Sequence, residues 1–329
     1  MAEVKQVHIL DFKSEIKNVI KLENGAMVIC LGLDLMICNP FVQNRPLGGM
    51  HSKTFKNSVP ILGACSMKIT SELAYDFFQT EYRHPFKIQD GIVIFDSDQN
   101  FTVIDLVHNL AIIKFKYLGP EVDDICSTPH SPCQLAVLTE SEIQILQISL
   151  NSYSVLQTID IQGKAISPFM EGYLVDTQHS LRFIKNGTEQ MKQYAAHIPF
   201  ADFRVDNDRV VIASCSANSR EDVIFKVTGG GSFTSRILVE ELKWDVAGGY
   251  IFVLNDSSHI TMASIEDVTK NCTITLPEKF PKVEELFAGL DRFQKNVIVM
   301  LFSKEQATTV QMPLSLFSQT EEDNDEPQE

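Results

Sequence analysis

The stretch Gly248-Gly249-Tyr250-Ile251-Phe252-Val253-Leu254-Asn255-Asp256-Ser257-Ser258-His259-Ile260-Thr261-Met262-Ala263-Ser264-Ile265 decides the fold. Two glycines end one segment, and Tyr250–Leu254 follows as a run apolar on both faces, which reads as a strand covered on both sides. Asn255–Ser258 is a polar turn, and His259–Ile265 returns with period-two alternation, so the unit is an antiparallel hairpin with two unequal environments. The same grammar recurs upstream. Ile92–Phe95, the turn Asp96–Asn100 and Phe101–Ile104 repeat it, as do Leu135–Leu138, Thr139–Glu142 and Ile143–Ile148. In each unit the apolar run is expected to be the inner strand of its sheet, packed between neighbours.

Seven such runs begin at Ala26, Ile92, Leu135, Tyr173, Val210, Tyr250 and Val297. Most of the steps between them fall near the ~40 to 50 residues of one four-stranded propeller blade. The step from Ala26 to Ile92 is longer by about half a unit. A small sheet cannot bury both faces alone, whereas radial stacking lets each sheet cover the next and leaves only short outer edges. The fold class is therefore all-β: a seven-bladed β-propeller of four-stranded antiparallel blades spanning residues 1–317. Closure needs the two chain ends to be joined. Val4–Phe12 reads as a strand with no hairpin partner after it, and pairing beside Ala307–Met312 would make it the outer strand of the last blade.

The 329 residues are 44% hydrophobic and 22% charged, enough for one large folded core. No run of roughly 18 uninterrupted apolar residues exists, so no membrane association is expected. The N-terminus lacks an apolar stretch of signal-peptide length, because Lys13 and Glu15 interrupt it. Seven cysteines is an odd number, and Cys30, Cys38 and Cys215 sit in or beside apolar strands as reduced thiols do. Together these features place the chain inside the cell, in the nucleus or the cytoplasm. The net charge of −15 and the scattered Lys and Arg exclude phosphate-driven nucleic-acid binding as the first expectation.

Two segments leave the repeat. Residues 39–60 hold Pro40, Pro46, Pro60, Gly48 and Gly49 without sustained alternation, and read as an inserted loop that explains the long first step. Long loops in compact domains are uncommon unless they are used. Phe41, Arg45, Leu47, Met50 and Phe55 are the expected partner-binding residues, since aromatic, Met and Arg side chains dominate interface hot spots. Residues 318–329, with Glu321, Glu322, Asp323, Asp325, Glu326 and Glu329, read as an acidic disordered tail.

No catalytic motif stands out, and the chain is not expected to be an enzyme. Cys126, His130 and Cys133 are suitable zinc ligands, yet a fourth is missing locally and the spacing fits no common finger, so no metal or other cofactor is expected. Gly229-Gly230-Gly231-Ser232 is followed by neither Lys-Ser/Thr nor a helix: Phe233–Glu241 reads as strand and the glycines as a turn between blades. There is no Gly-x-Ser-x-Gly elbow. The pair Asp123-Asp124 and the acidic turn 206–208 are expected to cap strands.

Trp244-Asp245 precedes the Gly248-Gly249 turn and resembles the Trp-Asp terminus of WD40 repeats, although it stands ahead of the apolar run instead of closing a third strand. By repeat length and strand grammar, residues 4–316 resemble a divergent WD40-like seven-bladed propeller. That resemblance implies a non-catalytic scaffold or adaptor subunit of an intracellular multiprotein complex, with several protein partners. The acidic charge supports an alternative, a chaperone or escort for a basic client such as a ribosomal protein or histone.

Overall fold

The structure is a computed structural model that describes residues 6–22, 25–38, 41, 53–70, 88–106, 110–128, 131–150, 152–177, 180–185, 191–196, 201–216, 219–276, 280, 282–291 and 293–314. It contains seven four-stranded antiparallel sheets, the blades of a seven-bladed propeller. The chain enters through β1 (Gln6–Asp11). The first blade follows with β2 (Asn18–Lys21), β3 (Met27–Leu31), β4 (Asp34–Cys38) and β5 (Lys53–Lys56). The second has β6 (Ile61–Thr70), β7 (Ile88–Asp96), β8 (Asn100–Asp105) and β9 (Leu110–Lys116); the third has β10 (Val122–Ser127), β11 (Gln134–Thr139), β12 (Glu142–Ile148) and β13 (Tyr153–Asp160). The fourth comprises β14 (Ala165–Phe169), β15 (Gly172–Thr177), β16 (Ser180–Lys185) and β17 (Met191–Ala196), and the fifth β18 (Ala201–Asp206), β19 (Arg209–Ser216), β20 (Ser219–Val227) and β21 (Ser232–Arg236). The sixth holds β22 (Trp244–Ala247), β23 (Tyr250–Asp256), β24 (His259–Ser264) and β25 (Asn271–Thr275), and β26 (Glu285–Leu290), β27 (Asn296–Phe302) and β28 (Gln306–Pro313) form the last with β1.

The apolar runs that carry the repeat are β3, β7, β11, β15, β19, β23 and β27. They are the second strand of each sheet and not the innermost one, which corrects the expectation from sequence. The physical reason is hydrogen bonding on both edges together with cover on both faces: Ile251, Phe252, Val253 and Leu254 of β23 are all buried. The first strands are shorter or more polar, as in Val122-Asp-Asp-Ile-Cys-Ser127 and Trp244-Asp-Val-Ala247, so hydropathy does not reveal them. First strands of successive blades touch, β6 with β10 and β10 with β14, and likewise β18 with β22 and β22 with β26.

Local chemistry sets the turns. Gly248 (φ 58°) and Gly249 (φ 84°) take the two left-handed positions that a two-residue hairpin turn demands, so Ala247 pairs with Tyr250. The Asp256 carboxylate accepts Ser258 N–H at 2.7 Å and faces His259 Nδ1 at 2.8 Å, closing the next turn. Gly229–Gly231 lies within the fifth blade, joining β20 to β21, and not between blades as expected. The segment after it ends as a strand at Arg236, and Val239–Glu241 forms a 3-10 turn.

The clasp forms as the sequence suggested. β1 is the outer strand of the last sheet, with Gln6 opposite Gln311, Leu10 opposite Ala307 and Asp11 opposite Gln306. Phe12 N–H donates to Glu305 O at 2.8 Å, and Gln306 Nε2 to Asp11 Oδ1 at 3.0 Å, extending the pairing past the strand ends. None of the seven cysteines forms a disulfide. Among the described residues no helix is long and apolar enough to cross a membrane.

The chain forms two compact units. One comprises Leu22–Met36 and Lys53–His197, the other Met1–Lys21, Ile37–Ser52 and Ile198–Glu329. In the first, Phe101 stacks on Phe115 (5.3 Å) and Phe95 (5.8 Å) and meets the edge of Tyr117. In the second, Phe225 stacks on Phe233 at 4.9 Å and receives Trp244 edge-on at 5.2 Å, joining the fifth blade to the sixth. Fully burying one such ring contributes about 1.5–3 kcal/mol.

Candidate interaction site

The insertion is shorter than the sequence suggested. Lys53–Lys56 is β5, the outer strand of the first blade, so the departure between β4 and β5 covers residues 39–52. Four residues flanked by lysines carry too little alternation to announce a strand. The remaining excess length lies at 71–87, between β6 and β7, outside the described residues.

The five expected contact residues divide accordingly. Arg45, Leu47 and Met50 lie outside the described residues. Phe55 is half-buried on β5. Phe41 is 4% exposed, so its ring is already used by this chain; offering it as a free anchor for a partner is corrected by that burial. The ring fills the space beside Gly289, where a Cβ would come within 2.3 Å of it. The Lys21 ammonium lies 5.9 Å from its centroid.

Lys21 ends β2 and connects it to two further first strands, β22 and β26. Its Nζ donates to Asp245 Oδ2 (2.6 Å) and Ala288 O (2.6 Å), with Val246 O at 3.4 Å, which occupies all three ammonium donors. Asp245, 3% exposed, also accepts Ala288 N–H at 2.8 Å, tying β22 to β26. Arg204 Nε stands 3.9 Å from the other Asp245 oxygen, and its guanidinium lies 5.1 Å from the Trp244 ring. Arg204 Nη1 donates to Asp202 Oδ1 at 2.6 Å, while Asp202 Oδ2 accepts Trp244 Nε1–H at 2.9 Å.

This network is structural. Every charge in it faces an opposite charge or a hydrogen-bond partner, and breaking the buried pair from one side would cost about 3–5 kcal/mol. The sequence marks Trp244-Asp245 as a motif remnant but gives no sign that Lys21, or the Asp202–Arg204 pair some forty residues upstream, would meet it. The one available signal was that Trp244 is the only tryptophan and stands next to a carboxylate.

Other first-strand carboxylates behave alike. Asp124 Oδ2 accepts Ile166 N–H at 2.9 Å, from the third blade to the fourth, and Asp206 Oδ2 accepts Gly249 N–H at 2.6 Å, from the fifth to the sixth. These carboxylates stitch neighbouring blades, where capping of their own strands was expected. Cys126 and Cys133 are buried, and His130 lies outside the described residues. Among the described residues no three His, Cys, Asp or Glu side chains gather as a metal site.

Seven four-stranded sheets with this strand order define the class: a β-propeller with the fold of WD40 domains. Among solved structures the chain is similar to the RRP9 WD40 repeats, with a TM-score of 0.62 at 11% identity over 95% of this chain and 99% of that one. It is likewise similar to the Neurospora crassa Pan2 WD40 domain (TM-score 0.61, 10% identity, 95% and 97% covered) and to U3-55K (0.60, 11%, 95% and 100%). At such identity the likeness is one of fold alone. No family model and no curated protein sequence matches the chain.

Proposed function

We propose that this chain is a non-catalytic protein-interaction scaffold, a subunit of an intracellular multiprotein complex acting in the nucleus or cytoplasm. The observation that carries this reading is the pinned root of the insertion. Phe41 is buried against Gly289 beside the Lys21–Asp245 pair, and Lys53–Lys56 is a strand of the first blade, so the residues on either side of 42–52 are held. A segment whose two ends are fixed has less conformational freedom to lose on association than a free one. Arg45, Leu47, Met50 and Phe55 are then the contact residues, and Phe41 supports them from below.

The test removes residues 42–52 with a two-glycine bridge, keeping Phe41 and β5. The shortened chain is expected to keep its melting temperature within a few degrees and to lose at least one protein that co-purifies with the full chain, read by quantitative mass spectrometry. Retention of every partner sinks the assignment of this loop. A second reading is favoured by the net charge of −15: the ring escorts a basic client protein.

A further inference from the structure

The third blade is chemically unlike the rest of the chain. From Tyr117 to Gly163 there is no Lys or Arg, while Glu121, Asp123, Asp124, Glu140, Glu142 and Asp160 all fall in that span. The outer strand of this blade, β13, is eight residues long, and its only charge is Asp160 at its end. It is the edge of its sheet, so one side of its backbone has no strand partner among the described residues. The outer strands of the first, second, fourth and fifth blades carry cations that discourage pairing (Lys53 and Lys56 in β5, Lys114 and Lys116 in β9, Lys192 in β17, Arg236 in β21), whereas β25 shares the lack of Lys and Arg but is only five residues long.

Two observations on β13 point to what covers it. The first is apolar. A bulge leaves Leu156 without a residue opposite it on β12, and Val155 and Leu156 are 47% and 54% exposed side by side. Leu118, 81% exposed, is tied to the start of the same strand, since its N–H donates to Tyr153 Oη at 3.0 Å and Tyr153 packs on Phe115 and Tyr117. The second is electrostatic. At the far end of β13, Asp160 stands directly opposite Glu142 on β12, a like-charge cross-strand pair with no cationic partner among the described residues. The strand separates the two ends by about 23 Å, at ~3.3 Å per residue.

We infer that the outer edge of the third blade docks an extended segment of a partner protein, apolar where it covers Leu118, Val155 and Leu156 and bearing Lys or Arg where it reaches Glu142 and Asp160. Strand addition to a free edge supplies the main-chain bonds, and the exposed side chains supply the selectivity. A second copy of this chain does not fit, because its own third blade, from Tyr117 to Gly163, has no Lys or Arg to offer Glu142 and Asp160. The inference rests on the scaffold reading only in taking a protein as the partner. Deleting residues 42–52 leaves the third blade untouched, so the two assignments fail separately.

The experiment pans phage-displayed random heptapeptides on the full chain at 150 mM salt, counter-selecting on a Leu118→Ser/Val155→Thr/Leu156→Ser variant. Enriched peptides are expected to combine alternating apolar residues with a terminal Lys or Arg. Synthesised and titrated by fluorescence anisotropy, they are expected to bind the Glu142→Gln/Asp160→Asn chain at least about tenfold more weakly. That second variant removes a like-charge pair, so loss of binding there does not report unfolding. No enrichment, enrichment of peptides without cations, equal binding to either variant, or a concentration-dependent dimer by sedimentation that the triple variant abolishes would each overturn the inference.

Discussion

Gly289 lacks a side chain in the place where the Phe41 ring lies, and the pair makes a direct test of how the insertion is rooted. Gly289→Ala puts a methyl within 2.3 Å of the ring and is expected to destabilise by about 1–3 kcal/mol, through overpacking, in denaturant titration. Phe41→Ala leaves a cavity and is expected to cost about 3–5 kcal/mol. Combined, the two should cost less than their sum, because the added methyl then meets empty space; additive costs would show that the residues are not in contact. The thiols give a second residue-scale outcome. Burial pushes Cys30 up to about 11 and Cys38 up to about 12, from an ordinary value of 9.0. In the unfolded chain these thiols ionise first, so the folded state binds more protons above that value and stability falls as pH rises from 9 toward 11 and 12. Chemical denaturation at pH 8 and pH 10.5 should show the loss, and iodoacetamide at pH 8 should spare both residues until the protein unfolds.

At the scale of an element, β1 matters more than its six residues suggest. It is the one strand of its sheet drawn from the opposite end of the chain, so it converts an open array into one closed by backbone hydrogen bonds. Deleting residues 1–12 removes six cross-strand pairs, worth roughly 0.2–1 kcal/mol each, and bares the edge of β28. The expected outcome is a lower melting temperature and self-association in light scattering. An unchanged melting temperature would mean that the last blade stands on three strands. The strands most legible in the sequence were the second ones, β23 above all, because burial on both faces leaves a run of β-branched and aromatic residues. The first strands were not legible. Trp244–Ala247 and Val122–Ser127 place charged or bulky polar groups where hydropathy expects a gap, since Asp245 and Asp124 bond to the next blade.

For the whole molecule the deciding quantity is charge. If the −15 net charge drives recognition of a basic client, affinity should drop steeply between 0.1 M and 1 M salt as the Debye length shrinks from ~10 Å to ~3 Å. A scaffold that binds chiefly through the apolar Leu47, Met50 and Phe55 should be nearly indifferent to the same change, and titration of an identified partner at both salt concentrations separates the two readings. By itself the sequence determined the number of sheets, their antiparallel strands and the clasp, because these follow from the period of hydrophobic burial, which is written locally. It also marked residues 39–60 as irregular. Only the tertiary structure decided that Lys53–Lys56 closes the first blade, that Phe41 faces inward, and that Lys21, Asp202, Arg204 and Asp245 form one network. The last two depend on which first strands become neighbours, and residues as far apart as Lys21 and Asp245, or Phe41 and Gly289, leave no periodic trace of their contact.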